Sequence, residues 1–146
     1  MKKTVFANWG TARQGKSSTV KKIAELILKN YPSATTAPNP IDFTFDIRAV
    51  ISVGKIKIGI ESQGDPNSRL FDSLKYFVEI NCNIIICSTR TSGSTVDAVN
   101  ELYSKHGYEN VWVTNYRSNE KNQDTLNDIS AKHIFELIQQ NITGRI

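Results

Sequence analysis

At 146 residues the chain is long enough for one domain with a central sheet and helices on both faces. Its 39% hydrophobic and 22% charged content is that of a globular protein, and no apolar run approaches the roughly 20 residues that span a bilayer, so a cytoplasmic protein with no membrane partner is expected. The net charge of +4 is lopsided, with seven Lys/Arg against one acid in residues 1–30. That excess suits an anion site near the N-terminus; nucleic acid is not indicated, because no arginine-rich run or aromatic stripe accompanies it.

An apolar stretch over 4–7 reads as the first strand. It leads into Gly10-Thr11-Ala12-Arg13-Gln14-Gly15-Lys16-Ser17, which fits G-x-x-x-x-G-K-[ST] without a mismatch. A helix over 18–29 follows, with Val20, Ile23, Ile27 and Tyr31 on one face. Strand, glycine-rich turn and helix together make the context of a phosphate-binding loop. The glycines let successive N–H groups point at an anion, and the helix adds its own unpaired amides, that of Ser18 included. Lys16 is expected to reach the β- and γ-phosphates and Ser17 to hold Mg²⁺, with ATP as the nucleotide and GTP as the other candidate.

Residues 33–40, rich in Pro, Thr and Ala, read as an exposed loop. Ile41, Phe43, Phe45, Ile47, Ala49, Ile51 and Val53 then alternate with Asp42, Thr44, Asp46, Arg48 and Ser52, which predicts a strand over 41–53. On that strand Asp46 and Arg48 are expected to face solvent, the alternative being that the acid serves as the base of a nucleoside kinase. Gly54-Lys55 makes a tight turn into a strand over 56–60, so these two strands form an antiparallel hairpin and the later one runs parallel to the first. Beyond it come a helix over 67–79, a strand over 84–86 and a helix over 94–105. A strand over 111–113 and a helix over 124–140 complete the chain. Cys82 and Cys87 flank the 84–86 run; five residues apart on a strand they face opposite sides, unbridged, as small hydrophobes. His106 and His133 have no nucleophile or ligand partner in sequence and read as structural. The alternation of strands and helices predicts a single α/β domain over 1–146, a three-layer sandwich of about five strands, mainly parallel with one antiparallel hairpin strand.

Ligands of such sheets gather at the carboxyl ends of the strands. There the strand over 56–60 ends in Glu61-Ser62-Gln63-Gly64-Asp65, offering Glu61 as the carboxylate for Mg²⁺. Asp65 is either a base for attacking water or a cap for the next helix. Ser88-Thr89-Arg90 follows a buried strand, and Arg90 would stabilise transferred charge. Asn115 and Arg117, beyond the last strand, are the candidates to contact the base.

With this loop and acidic strand end, the chain resembles P-loop NTPases. It has a narrower likeness to Ras-like GTPases: Thr35 and Thr36 stand in the loop after the first helix, a hairpin follows, and Glu61-x-x-Gly64 resembles D-x-x-G. That likeness implies a Mg²⁺-binding role for Thr36. The chain departs in carrying Glu in place of Asp, Asp65 where those enzymes have Gln, and no N-K-x-D guanine motif. The expected function is Mg²⁺-dependent binding and slow hydrolysis of a nucleoside triphosphate, as a small ATPase or a nucleotide switch with a protein partner. The alternatives are a nucleoside- or nucleotide-type kinase and a non-catalytic nucleotide-binding module.

Overall fold

A computed structural model of the chain describes residues 1–11 and 14–146. In order, the elements are β1 (Thr4–Trp9), α1 (Lys16–Asn30), β2 (Thr35–Ala37), β3 (Arg48–Val53), β4 (Ile56–Glu61), α2 (Leu70–Glu79), β5 (Ile84–Thr89), α3 (Ser94–His106), β6 (Glu109–Val113) and α4 (Gln123–Ile142). One six-stranded sheet has the order β2-β3-β4-β5-β1-β6. β4, β5, β1 and β6 are parallel, and β3 is antiparallel to both β4 and β2. Among the described residues no helix is long and apolar enough to cross a membrane.

The period-2 geometry of strands divides the core in two. Phe6, Ile58, Ile60, Ile84 and Ile86 point to one face, where they pack against α1 and α4. Val5, Ala7, Ile85 and Cys87 point to the other, against α2 and α3. β5 is buried on both faces along its whole length, and its first four residues, Ile84 to Cys87, are a continuous apolar run and not an alternation. Parity along β4 places Ile58 and Ile60 under α1 and turns Gly59 and Glu61 toward α2.

Three expectations need correction. The sheet has six strands, because the segment expected as a loop contains the short edge strand β2. The alternation over 41–53 is strand only from Arg48. Ile41 and Phe43 still lean on the core, but Phe45 is 76% exposed, and the Phe43 and Phe45 carbonyls accept from Lys21 Nζ at 3.1 and 3.2 Å. Alternation does not report whether the backbone has a ladder partner; here a lysine supplies the donor. Finally, Cys82 and Cys87 are free and fully buried as expected, yet they share the α2/α3 face. Cys82 precedes β5, so strand parity does not govern it. Burial pushes the two thiols up to about 11 and about 12.

Candidate functional site

β1 ends at Trp9, and the chain turns over the carboxyl edge of the sheet into α1. Gly15 makes that turn possible in two ways. Its φ of 74° is left-handed, and a Cβ there would come within 2.6 Å of Asn127 Oδ1. It stands at the start of α1 with no side-chain cap hydrogen bond, and helix starts leave their first amides without partners within the helix. Thr11 N donates to Gln14 Oε1 at 3.1 Å, while Ser18 is half-buried on the first turn of α1. Ala12 and Arg13, expected to contact phosphate, lie outside the described residues.

Lys16 is only 7% exposed and folds back across the turn. Its Nζ donates to the Gly10 carbonyl at 2.5 Å and to the Thr89 carbonyl at 2.6 Å. Burial and then the positive field of Arg90 lower its pKa to about 8, with Asp65 offsetting part of the loss.

Behind the turn lies a buried amide network that sequence reading missed. Asn115 Oδ1 accepts from Asn8 Nδ2 at 2.8 Å, while Asn115 Nδ2 donates to the Gln14 carbonyl, Thr19 Oγ1 and Asn127 Oδ1 at 3.2, 2.7 and 2.9 Å. Asn115 is 5% exposed and its amide is spent on bracing the loop, so the expected contact to a base is not what this side chain does. Arg117 is exposed and does not line the cleft described below. The only hint in the sequence was polar residues, Asn8, Thr19 and Asn127, on otherwise apolar faces.

In front of the turn a cleft of about 610 Å³ opens between the loop, the segment after β4 and the end of β5. Asp65 and Arg90 pair across it, with Nη2 and Nε of Arg90 at 2.9 and 3.0 Å from Asp65 Oδ1. Asp65 therefore does not cap α2 with its side chain; its backbone carbonyl takes Ser68 instead. Gly64 is required where the chain passes β5, because a Cβ would come within 2.6 Å of the Ser88 carbonyl oxygen. Asp46, expected in solvent on a strand, lines this cleft: its Oδ1 is bonded to the Ser17 hydroxyl and accepts from Ser62 Oγ at 2.7 Å.

Two expected metal ligands are elsewhere. Glu61 is fully buried and absent from the cleft wall; its carboxylate accepts from Arg69 Nε at 2.7 Å, Ser73 Oγ at 2.5 Å and Gln63 N at 3.0 Å. Strand parity aims it at α2, on the face of the sheet opposite α1. Thr36 stands on the edge strand β2, in register through Ile51, Ile58 and Ile84 with Thr4, at the far end of β1 from the loop. Four strand spacings, about 19 Å, separate β2 from β1. A threonine there cannot share an ion with Ser17.

No protein-family model and no curated protein matches this chain. A solved structure described as "Crystal structure of APE1195" is similar over 99% of this chain and 74% of its own, at 12% identity and a TM-score of 0.42. A likeness so slight carries no argument about fold or function.

Proposed function

We propose that this chain binds a Mg²⁺–nucleoside triphosphate in the 10–17 loop and hydrolyses it slowly, as a small cytoplasmic ATPase or nucleotide switch in a P-loop sandwich. The observation that carries the reading is Lys16. A lysine buried at the carboxyl edge of a parallel sheet, beside an uncapped helix start and at the wall of a polar cleft, supports the reading of an anion site. Two carbonyls hold its ammonium, and phosphate oxygens would replace them.

The side chains bonded to one another at Ser17, those of Asp46 and Ser62, offer oxygen, and oxygen donors suit Mg²⁺. The bound ion would neutralise charge on the β- and γ-phosphates, with the Ser17 hydroxyl and a carboxylate of the cleft holding it. Arg90 would stabilise transferred charge once Asp65 releases it, and Asp65 would orient the attacking water. A carboxylate beside a triphosphate repels it, which fits a slow enzyme.

A thermal-shift panel of ATP, GTP, dATP and their diphosphates, with and without Mg²⁺, tests the proposal. Binding to the native state raises the melting temperature through RT ln(1 + [L]/Kd). No shift with any nucleotide refutes it. Tight binding without turnover would identify a non-catalytic module, and transfer of label from ATP to a small acceptor would identify a kinase.

A further inference from the structure

The strand-end acid Glu61 is the carboxylate that the sequence offers to Mg²⁺, but it is sealed beneath α2. Both of its oxygens are occupied by Arg69, Ser73 and the Gln63 amide, and none of its surface reaches solvent. Releasing it would leave a fully buried carboxylate without its cation partner Arg69, which is strongly unfavourable. It also faces away from α1, where Ser17 sits, and β5 stands between its strand and β1. Asp46 has the opposite properties: it is exposed to the cleft and bonded to Ser17 itself.

From this arrangement we infer that Asp46, not Glu61, is the carboxylate that holds the divalent cation at this site, with Ser17 beside it and Ser62 fixing its orientation. The inference rests on the nucleotide-binding reading. A serine hydroxyl that offers a lone pair to a metal must direct its proton elsewhere, and Asp46 Oδ1 is placed to accept that proton. Ser62 Oγ donates to the same Oδ1 and accepts from Ile47 N at 2.8 Å, which locks the rotamer through the backbone. Asp46 Oδ2 has no donor among the described residues and is left for the ion or one of its waters. Hydrogen bonds of this kind orient the groups that hold a metal ion.

Asp46 belongs to the segment 41–47, which crosses in front of α1 outside the sheet. Lys21 holds its carbonyls at Phe43 and Phe45, and Ser62 holds its far end. An ion bound by Asp46 therefore ties this segment to the loop directly. Phe45, the neighbour of Asp46, is 76% exposed, so the segment carries an apolar side chain that would respond to the presence of the ion. Glu61, locked beneath α2, offers no such linkage.

Calorimetry of ATP binding with and without Mg²⁺ tests the assignment in wild type, Asp46→Asn, Ser62→Ala, Glu61→Gln and Lys16→Ala. Mg²⁺ is expected to tighten wild-type binding, and Asp46→Asn to remove about tenfold or more of that gain. Affinity without Mg²⁺ should be unchanged or tighter in Asp46→Asn, because a negative charge beside the phosphates is gone. Ser62→Ala should lose part of the gain and Glu61→Gln none, while Lys16→Ala should weaken binding in both conditions. Hydrogen exchange gives a second readout: the amides of 41–47 should be protected by Mg²⁺–ATP beyond ATP alone in wild type, but not in Asp46→Asn.

An undiminished Mg²⁺ gain in Asp46→Asn, or its loss in a folded Glu61→Gln, overturns the assignment and leaves nucleotide binding standing. Wild type that binds no nucleotide overturns the reading beneath it, and the assignment with it.

Discussion

Lys16 Nζ donates to the Thr89 carbonyl at 2.6 Å, which fastens the turn after β1 to the last residue of β5. Trp9 and Thr89 are register partners and Gly10 N donates to the same carbonyl at 3.2 Å, so the bond continues the parallel ladder one step past its end. The lysine thus ties the start of α1 to the ends of β1 and β5 through two carbonyls.

Removing that lysine should therefore act on binding and on the fold. Lys16→Ala is expected to cost about 2–5 kcal/mol of triphosphate affinity, the range for losing one member of a desolvated charge pair. It also strips the donor from two buried carbonyls, at about 1–3 kcal/mol of stability. Calorimetry and thermal melts check the two parts; unchanged ATP affinity contradicts the assignment.

The lowered pKa of Lys16 sets a pH dependence with opposite signs for folding and binding. The folded state releases this proton at about 8 and the unfolded state near 10.5, so the unfolded chain binds more protons in that window. The Lys16 contribution to stability accordingly rises with pH there. Phosphate needs the ammonium, so nucleotide affinity should instead fall above about pH 8, approaching tenfold per unit. Titrations in buffers of different ionisation enthalpy should register proton uptake on binding near pH 9, where the free lysine is mostly neutral. No uptake would show that Lys16 stays charged in the free protein.

The base should be held loosely. Guanine discrimination needs side chains that hydrogen-bond its edge and are left unpaired by adenine. Asn115 is committed to Asn8, Gln14, Thr19 and Asn127, so it is not available for that task. Competition binding should show ATP and GTP within about a hundredfold of each other.

That same network predicts where the loop is fragile. Asn115→Leu removes an amide that four partners use and leaves Asn8 Nδ2 buried without an acceptor among the described residues. It should cost about 2–4 kcal/mol of stability, visible in a urea melt. An effect under about 0.5 kcal/mol would mean that water replaces the amide.

Arg69 and Asp65 make a contrasting pair of tests. Arg69→Ala leaves the fully buried Glu61 without its cation and should destabilise the protein by about 3 kcal/mol in denaturant. Asp65→Asn breaks an exposed bridge worth under about 1 kcal/mol, so its melting point should barely move. Its turnover should fall while Mg²⁺–ATP affinity holds. Normal turnover in Asp65→Asn would remove Asp65 from the chemistry.

The sequence by itself determined the pieces whose information is contiguous. Gly10, Gly15, Lys16 and Ser17 encode one turn of backbone, and the apolar spacings encode most strands and all four helices, because both depend on neighbours a few residues away. The hairpin of β3 and β4 was equally local, set by Gly54 at φ 57°. The tertiary structure alone decided which acid and which amides meet the loop. Glu61 looked right from its place at a strand end, but β5 inserts between β4 and β1, and parity turns its carboxylate under α2. Asp46 looked solvated because alternation cannot tell a strand from a segment whose carbonyls are held by a lysine, and its contact with Ser17 spans 29 positions. Asn115 reaches Asn8 across 107. Contacts at such separations depend on strand order and on which face of the sheet each helix covers, and no local pattern of residue types encodes either.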